Sequence, residues 1–162
     1  MDLATLDPKT DLHFTRSLPV PPELVWECWT TPEHLKQFFV PRPHRVTACE
    51  LDLRAGGKCN TTFEVDGNLM ENNGVYLEVV PNRKLVFTDT YTEGWKPKAD
   101  PFMTAIILLE EDGKGGTTYT AIARHRSAET AKTHEEMGFY DGWGTVVDQL
   151  VDYATGLQEA RK

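Results

Sequence analysis

The sequence has few cysteines, no long apolar run and too little positive charge, and each shortage excludes a class of protein. Its three cysteines, Cys28, Cys49 and Cys59, are odd in number and form no CxxC pair. That spacing argues against a disulfide framework and against a zinc knuckle. Three unbridged thiols packed as small hydrophobes are expected instead. No apolar stretch approaches the roughly 20 residues of a membrane helix. The start, "MDLATLDPKTDL", lacks the apolar core of a signal peptide, so a cytoplasmic protein without membrane insertion is expected. The 17 Lys and Arg stand against 25 Asp and Glu, a formal net charge of −8. Nucleic acid is therefore not an expected partner, because binding it takes clustered cations.

Catalytic signatures are missing as well. "AGG" and "DGKGG" are not followed by a helix carrying GK[ST], so their glycines read as hairpin turns rather than phosphate loops. No GxSxG nucleophile elbow is present. "HEEMGF" is not HExxH: His134 and Met137 lie about 300° apart on a helix, and zinc needs three or four convergent ligands. His134 is expected at a solvated helix start, and no metal and no cofactor are expected.

What remains is ordinary for one globular domain over residues 1–162, with 40% hydrophobic and 26% charged residues. "DLHFTRSLPV" alternates as a strand. In "PPELVWECWT", Pro21 and Pro22 suit a helix entrance, and Leu24, Val25, Cys28 and Trp29 recur at helical spacing. "TPEHLKQFF" restarts a helix with Thr31 as cap. "HRVTACELDLR", "KCNTTFEV", "NGVYLEVV", "KLVFTDTY", "FMTAIILLEE" and "TTYTAIARHR" then alternate as six strands. Short turns join most of them, which predicts antiparallel neighbours. The C-terminal third reads as helical. Ser127 and Thr133 are both candidate N-caps there, the latter through Thr133-x-x-Glu136. From Phe139 onward, Phe139, Tyr140, Trp143, Val146, Val147, Leu150 and Val151 share an arc with Tyr153, Ala154 and Leu157. Asp141, Thr145, Asp148, Gln149 and Asp152 lie opposite. A helix of about twenty residues is predicted, covering the apolar face of the sheet.

This block order, with "PPELVWECWTTPEHLKQFF", "ELDLRAGGKCNTTF", "GVYLEVVPNRKLVFTD", "PFMTAIILLEE" and "HEEMGFYDGWGTVVDQLVDY", resembles the SRPBCC superfamily of START-like lipid-transfer domains, birch-pollen-allergen-like proteins and polyketide cyclases. More narrowly it is similar to the branch named for the C-terminal domain of the heat shock protein 90 ATPase activator. The resemblance implies an α+β helix-grip fold: a curved seven-stranded antiparallel sheet wrapped around a long C-terminal helix, with two short helices between the first two strands. It also implies a cavity between sheet and helix, usually apolar. Eukaryotic activators carry an additional N-terminal domain, for which this length leaves no room.

The residues expected to line that cavity are Phe38, Phe63, Phe87, Trp95, Phe102, Met103, Tyr119, His125, Phe139, Tyr140, Trp143 and Val147. Trp95, in the irregular "YTEGWKPKADP", is expected at the mouth. Asp89, Tyr91 and His125 are the catalytic candidates. Each is expected on an inner strand face, where desolvation would raise a carboxyl pKa and where a histidine can serve as base. Gly142 and Gly144 each cost a helix about 1 kcal/mol, which predicts a notch where the long helix crosses the sheet. The leading functional expectation is an unidentified small apolar or aromatic ligand held in the cavity. An enzyme of cyclase, dehydratase or hydrolase type and a co-chaperone regulating a heat shock protein 90 ATPase are the alternatives. A homodimer is compatible with the sequence.

Overall fold

The structure, a computed structural model, describes residues Met1–Lys162. After a 3-10 turn at Leu3–Thr5, the chain runs through β1 (Asp11–Leu18), α1 (Pro22–Thr30) and α2 (Pro32–Leu35). The strands β2 (Arg45–Leu51), β3 (Lys58–Val65), β4 (Asn68–Val80) and β5 (Lys84–Thr88) come next. A small hairpin, β6 (Tyr91–Thr92) and β7 (Lys96–Pro97), interrupts the sheet before β8 (Thr104–Glu111) and β9 (Thr117–Arg124). The chain ends in α3 (Ala128–Glu136) and α4 (Phe139–Ala160). Seven strands form one antiparallel sheet in the order β1-β9-β8-β5-β4-β3-β2, and α4 lies across its concave face, the expected helix grip.

Two register shifts bend the sheet. One lies between Val46 and Ala48 in β2, the other between Tyr76 and Glu78 in β4. Each inserts a residue and sharpens the local twist. Strict alternation therefore fails there: Tyr76 and Val79, three residues apart, both pack on the inner cluster. Backbones also meet closely where the sheet turns. A Cβ on Gly74 would stand 2.2 Å from the Thr88 carbonyl oxygen, and one on Gly57 2.0 Å from that of Asp52.

The interior is built from the inner faces of β5, β8 and β9, α1 and α4. Leu85, Ile107, Tyr119 and Ala121 pack with Val25, Trp29, Val147, Leu150 and Ala154 in one buried cluster. Ala121 and Ala123 are fully buried, and their small side chains let α4 approach the sheet. Burying each large side chain here contributes about 1.5–3 kcal/mol. The convex face has its own cover: Leu3 and Leu6 pack over Val86, Ile106 and Ile122.

Several local expectations are corrected. Ser127 caps α3 by accepting from the Thr130 N–H (3.1 Å), whereas Thr133 lies inside that helix. The residue before α4 is Gly138, left-handed at φ +95°. The fourth strand begins at Asn68, five residues before the expected "NGVYLEVV", and the fifth ends at Thr88, short of Asp89 and Tyr91.

Candidate functional site

The concave face gathers two aromatic groups. At mid-helix, the Trp29 ring of α1 meets Phe38 (centroids 5.5 Å), Phe39 (5.4 Å) and Phe87 (6.0 Å). Phe39 also meets Phe63 (5.7 Å). Phe38, Tyr119 and Val147 are sealed beneath them. Phe39, Phe63 and Phe87, in contrast, keep exposed surface although they belong to the inner wall. Cys59, on the same wall, is enclosed on almost every side yet retains accessible surface. Desolvation pushes its thiol up to about 12, Cys28 to about 12 and Cys49 to about 11. All three stay protonated at neutral pH.

At the N-terminal end of α4, Phe139 and Trp143 (5.1 Å) surround a buried histidine pair together with Phe102. Met103 packs on the same group. His125 Nδ1 lies 2.8 Å from the Thr10 carbonyl oxygen, and its Nε2 lies 2.8 Å from His134 Nδ1. A carbonyl only accepts, so His125 carries its proton on Nδ1, and Nε2 accepts from His134. His134 then bears its proton on Nδ1. Burial, with His125 adding to it, lowers its pKa to about 4. The expectation of a solvated His134 is thus wrong: it is 7% exposed. Its partner comes from the end of β9, which a search for a second histidine on the same helix does not find.

Two further polar clusters brace the grip. Gln149 donates to the carbonyls of Phe38 (3.0 Å) and Val40 (2.8 Å) and accepts from the Arg42 N–H (2.9 Å). Expected on the polar side of α4, it is buried, because the loop after α2 folds over it. Near the other end of α4, the Tyr153 hydroxyl donates to His34 Nδ1 (2.6 Å), and His34 Nε2 donates to Glu27 (3.1 Å). Arg161 grips the same carboxylate with two bonds (3.0 and 2.6 Å). These contacts tie α1, α2 and α4 together.

The three catalytic candidates do not converge. The Asp89 carboxylate accepts from the backbone N–H of Phe102 (2.8 and 2.9 Å) and of Met103 (3.1 Å), and pairs with Lys98 (3.2 Å). Those bonds occupy it as a loop brace. Tyr91 sits in the small hairpin, edge-on to Trp95 (5.6 Å). Trp95 is 52% exposed and rests on Gly56, where a Cβ would stand 2.7 Å from its ring. Tyr140 points outward. It borders a separate outer cleft of about 320 Å³ between the N-terminal turn, β1 and α3, with Leu3, Leu6, Leu12 and Ala131. No strand approaches the glycines of α4 closely: a Cβ on Gly142 or Gly144 would meet nothing within 4 Å. No cluster of three metal-ligating side chains occurs, and no helix is long and apolar enough to cross a membrane.

Comparison with known proteins gives a consistent picture. A family model described as activator of Hsp90 ATPase homolog 1-like protein matches residues 19–155. A crystal structure of a Nitrosomonas europaea protein is 39% identical with a TM-score of 0.91, covering 95% of this chain and 99% of its own. A Mycobacterium smegmatis protein is 25% identical with a TM-score of 0.75, covering 93% and 91%. A Staphylococcus epidermidis protein, 23% identical with a TM-score of 0.79 and covering 93% of each, shares the fold. No curated protein sequence matches the chain.

Proposed function

Because the chain belongs to the activator of Hsp90 ATPase homolog 1-like family, with the helix-grip fold that its sequence implies, we propose that it binds a small hydrophobic or aromatic ligand between the sheet and α4. One observation carries this reading. Phe39, Phe63 and Phe87 lie on the inner wall and touch one another through Phe39, yet remain only half-buried. Three neighbouring rings that keep exposed surface at the mouth of a packed interior form the kind of apolar lining that a ligand completes. A binding role also needs no assembled catalytic group, and Asp89, Tyr91 and His125 are each engaged elsewhere.

Melting temperature in the presence of a panel of neutral aromatic and aliphatic compounds tests the proposal. A ligand at a hundredfold excess over its Kd stabilises the folded state by about 2.7 kcal/mol. For a chain of this size that is a rise of roughly 5–10 °C. Native mass spectrometry of the same mixtures should show one ligand per chain. A panel that raises the melting temperature with no compound would overturn the reading.

A further inference from the structure

The grip contains one polar atom sealed from solvent without a hydrogen-bond partner, the indole Nε1 of Trp29. Trp29 is 3% exposed, at the centre of the group formed with Phe38, Phe39 and Phe87. A buried donor left unpaired is destabilising, and native proteins seldom keep one without a use for it. The Tyr119 hydroxyl lies within reach of it, but not at the distance and angle of a full hydrogen bond. Burial holds the Tyr119 hydroxyl well above its usual range, so its proton stays on and it is itself a donor. A phenol donates as well as accepts, so two groups able to donate to a ligand oxygen stand together on the inner wall.

The surroundings select the charge of what they can hold. No Lys or Arg of the chain is buried, and the rings of Phe38, Phe39 and Phe87 pack around Trp29. A carboxylate brought here would lose its hydration without gaining a counter-ion. A neutral carbonyl oxygen offers two lone pairs and no charge.

We propose that Trp29 Nε1–H, with the Tyr119 hydroxyl beside it, is the polar anchor of the ligand site, and that the ligand is a neutral apolar molecule carrying a carbonyl oxygen, a ketone or ester. This deepens the ligand-binding reading and rests on it. Phe39 packs edge-on against Trp29, so the ligand's apolar body lies against Phe39, Phe63 and Phe87 while its oxygen reaches Trp29. The backbone on either side stays in place, because Gln149 holds the carbonyls of Phe38 and Val40.

Two probes of equal shape separate the anchor from the cavity: 2-acetylnaphthalene, and 2-isopropenylnaphthalene, in which a methylene replaces the carbonyl oxygen. Each is titrated into full-length protein labelled with 15N-tryptophan. The chain has four tryptophans, and the Trp29 indole signal is assigned by its loss in Trp29→Phe, or by its contacts to Phe38 and Phe39 if that variant does not fold. The ketone should bind about tenfold more tightly than the alkene, the value of one additional buried hydrogen bond. It alone should move the Trp29 N–H signal downfield, and in Trp29→Phe the ratio of ketone to alkene affinity should fall to about one. Equal affinities with the Trp29 signal unmoved would overturn the anchor and leave the ligand site standing. No binding of either probe at its solubility limit would overturn both.

Discussion

His125 and His134 share one hydrogen bond of 2.8 Å, which joins the end of β9 to α3. Nine residues separate them in the chain, and the corner between strand and helix brings them together. Because His125 is anchored on the Thr10 carbonyl, the pair also holds the segment before β1. An added proton on His134 would place a charge among the rings of Phe102, Phe139 and Trp143.

Stability should therefore depend on pH through His134. Its folded pKa, about 4, lies below the unfolded value of 6.5, so the unfolded chain binds the proton more readily. The contribution is fully present above pH 6.5 and is lost as pH falls toward 4. Its upper bound is about 3 kcal/mol. Urea unfolding at pH 7 and pH 5 should show this loss in the wild type, and His134→Gln, which keeps a donor but cannot titrate, should reduce it. An unchanged pH dependence in the variant would assign the loss to other groups.

Gln149→Leu should destabilise the protein by about 2–3 kcal/mol, since it leaves the Phe38 and Val40 carbonyls and the Arg42 N–H without their partner. Hydrogen exchange should quicken at Arg42 and across the loop that carries Phe39. A loss confined to global stability, with exchange in that loop unchanged, would contradict the brace.

The glycines should divide into two kinds. Gly142→Ala meets nothing within 4 Å and should stabilise α4 by about 0.5–1 kcal/mol. Gly74→Ala drives a methyl group to 2.2 Å from the Thr88 carbonyl oxygen and should cost roughly 2–3 kcal/mol or more. Chemical denaturation of the two variants checks both signs.

The fold is legible in the sequence because alternation and helical spacing are local signals, and the short turns after them restrict the pairing. The seven strands, the two short helices and α4 all arise from those signals. Local reading fails where a side chain answers to a distant backbone. Asp89 leaves the inner face because its carboxylate collects the N–H groups of Phe102 and Met103, and β5 ends at Thr88, three residues before the expected Tyr91. Gln149 is buried by a loop more than a hundred residues away in sequence. Trp29 is visible in the sequence only as part of an apolar helix stripe, and its missing partner emerges only once the interior is assembled. The predicted cavity residues likewise divide: Phe38, Phe63, Phe87, Tyr119 and Val147 stand around the Trp29 group, and Phe102, Met103, His125, Phe139 and Trp143 around the histidine pair. Trp95 lies outside both, and Tyr140, edge-on to Phe139 (4.9 Å), turns to the surface.

The central claim is a ligand seated inside the grip. Isotope-edited nuclear Overhauser contacts between unlabelled 2-isopropenylnaphthalene and 13C-labelled protein measure it most directly. Contacts are predicted from the naphthalene protons to the rings of Phe39, Phe63 and Phe87 and to the Val147 methyls. Contacts confined to Leu6, Ala131 and Tyr140 in the outer cleft, or none at the solubility limit, would contradict it.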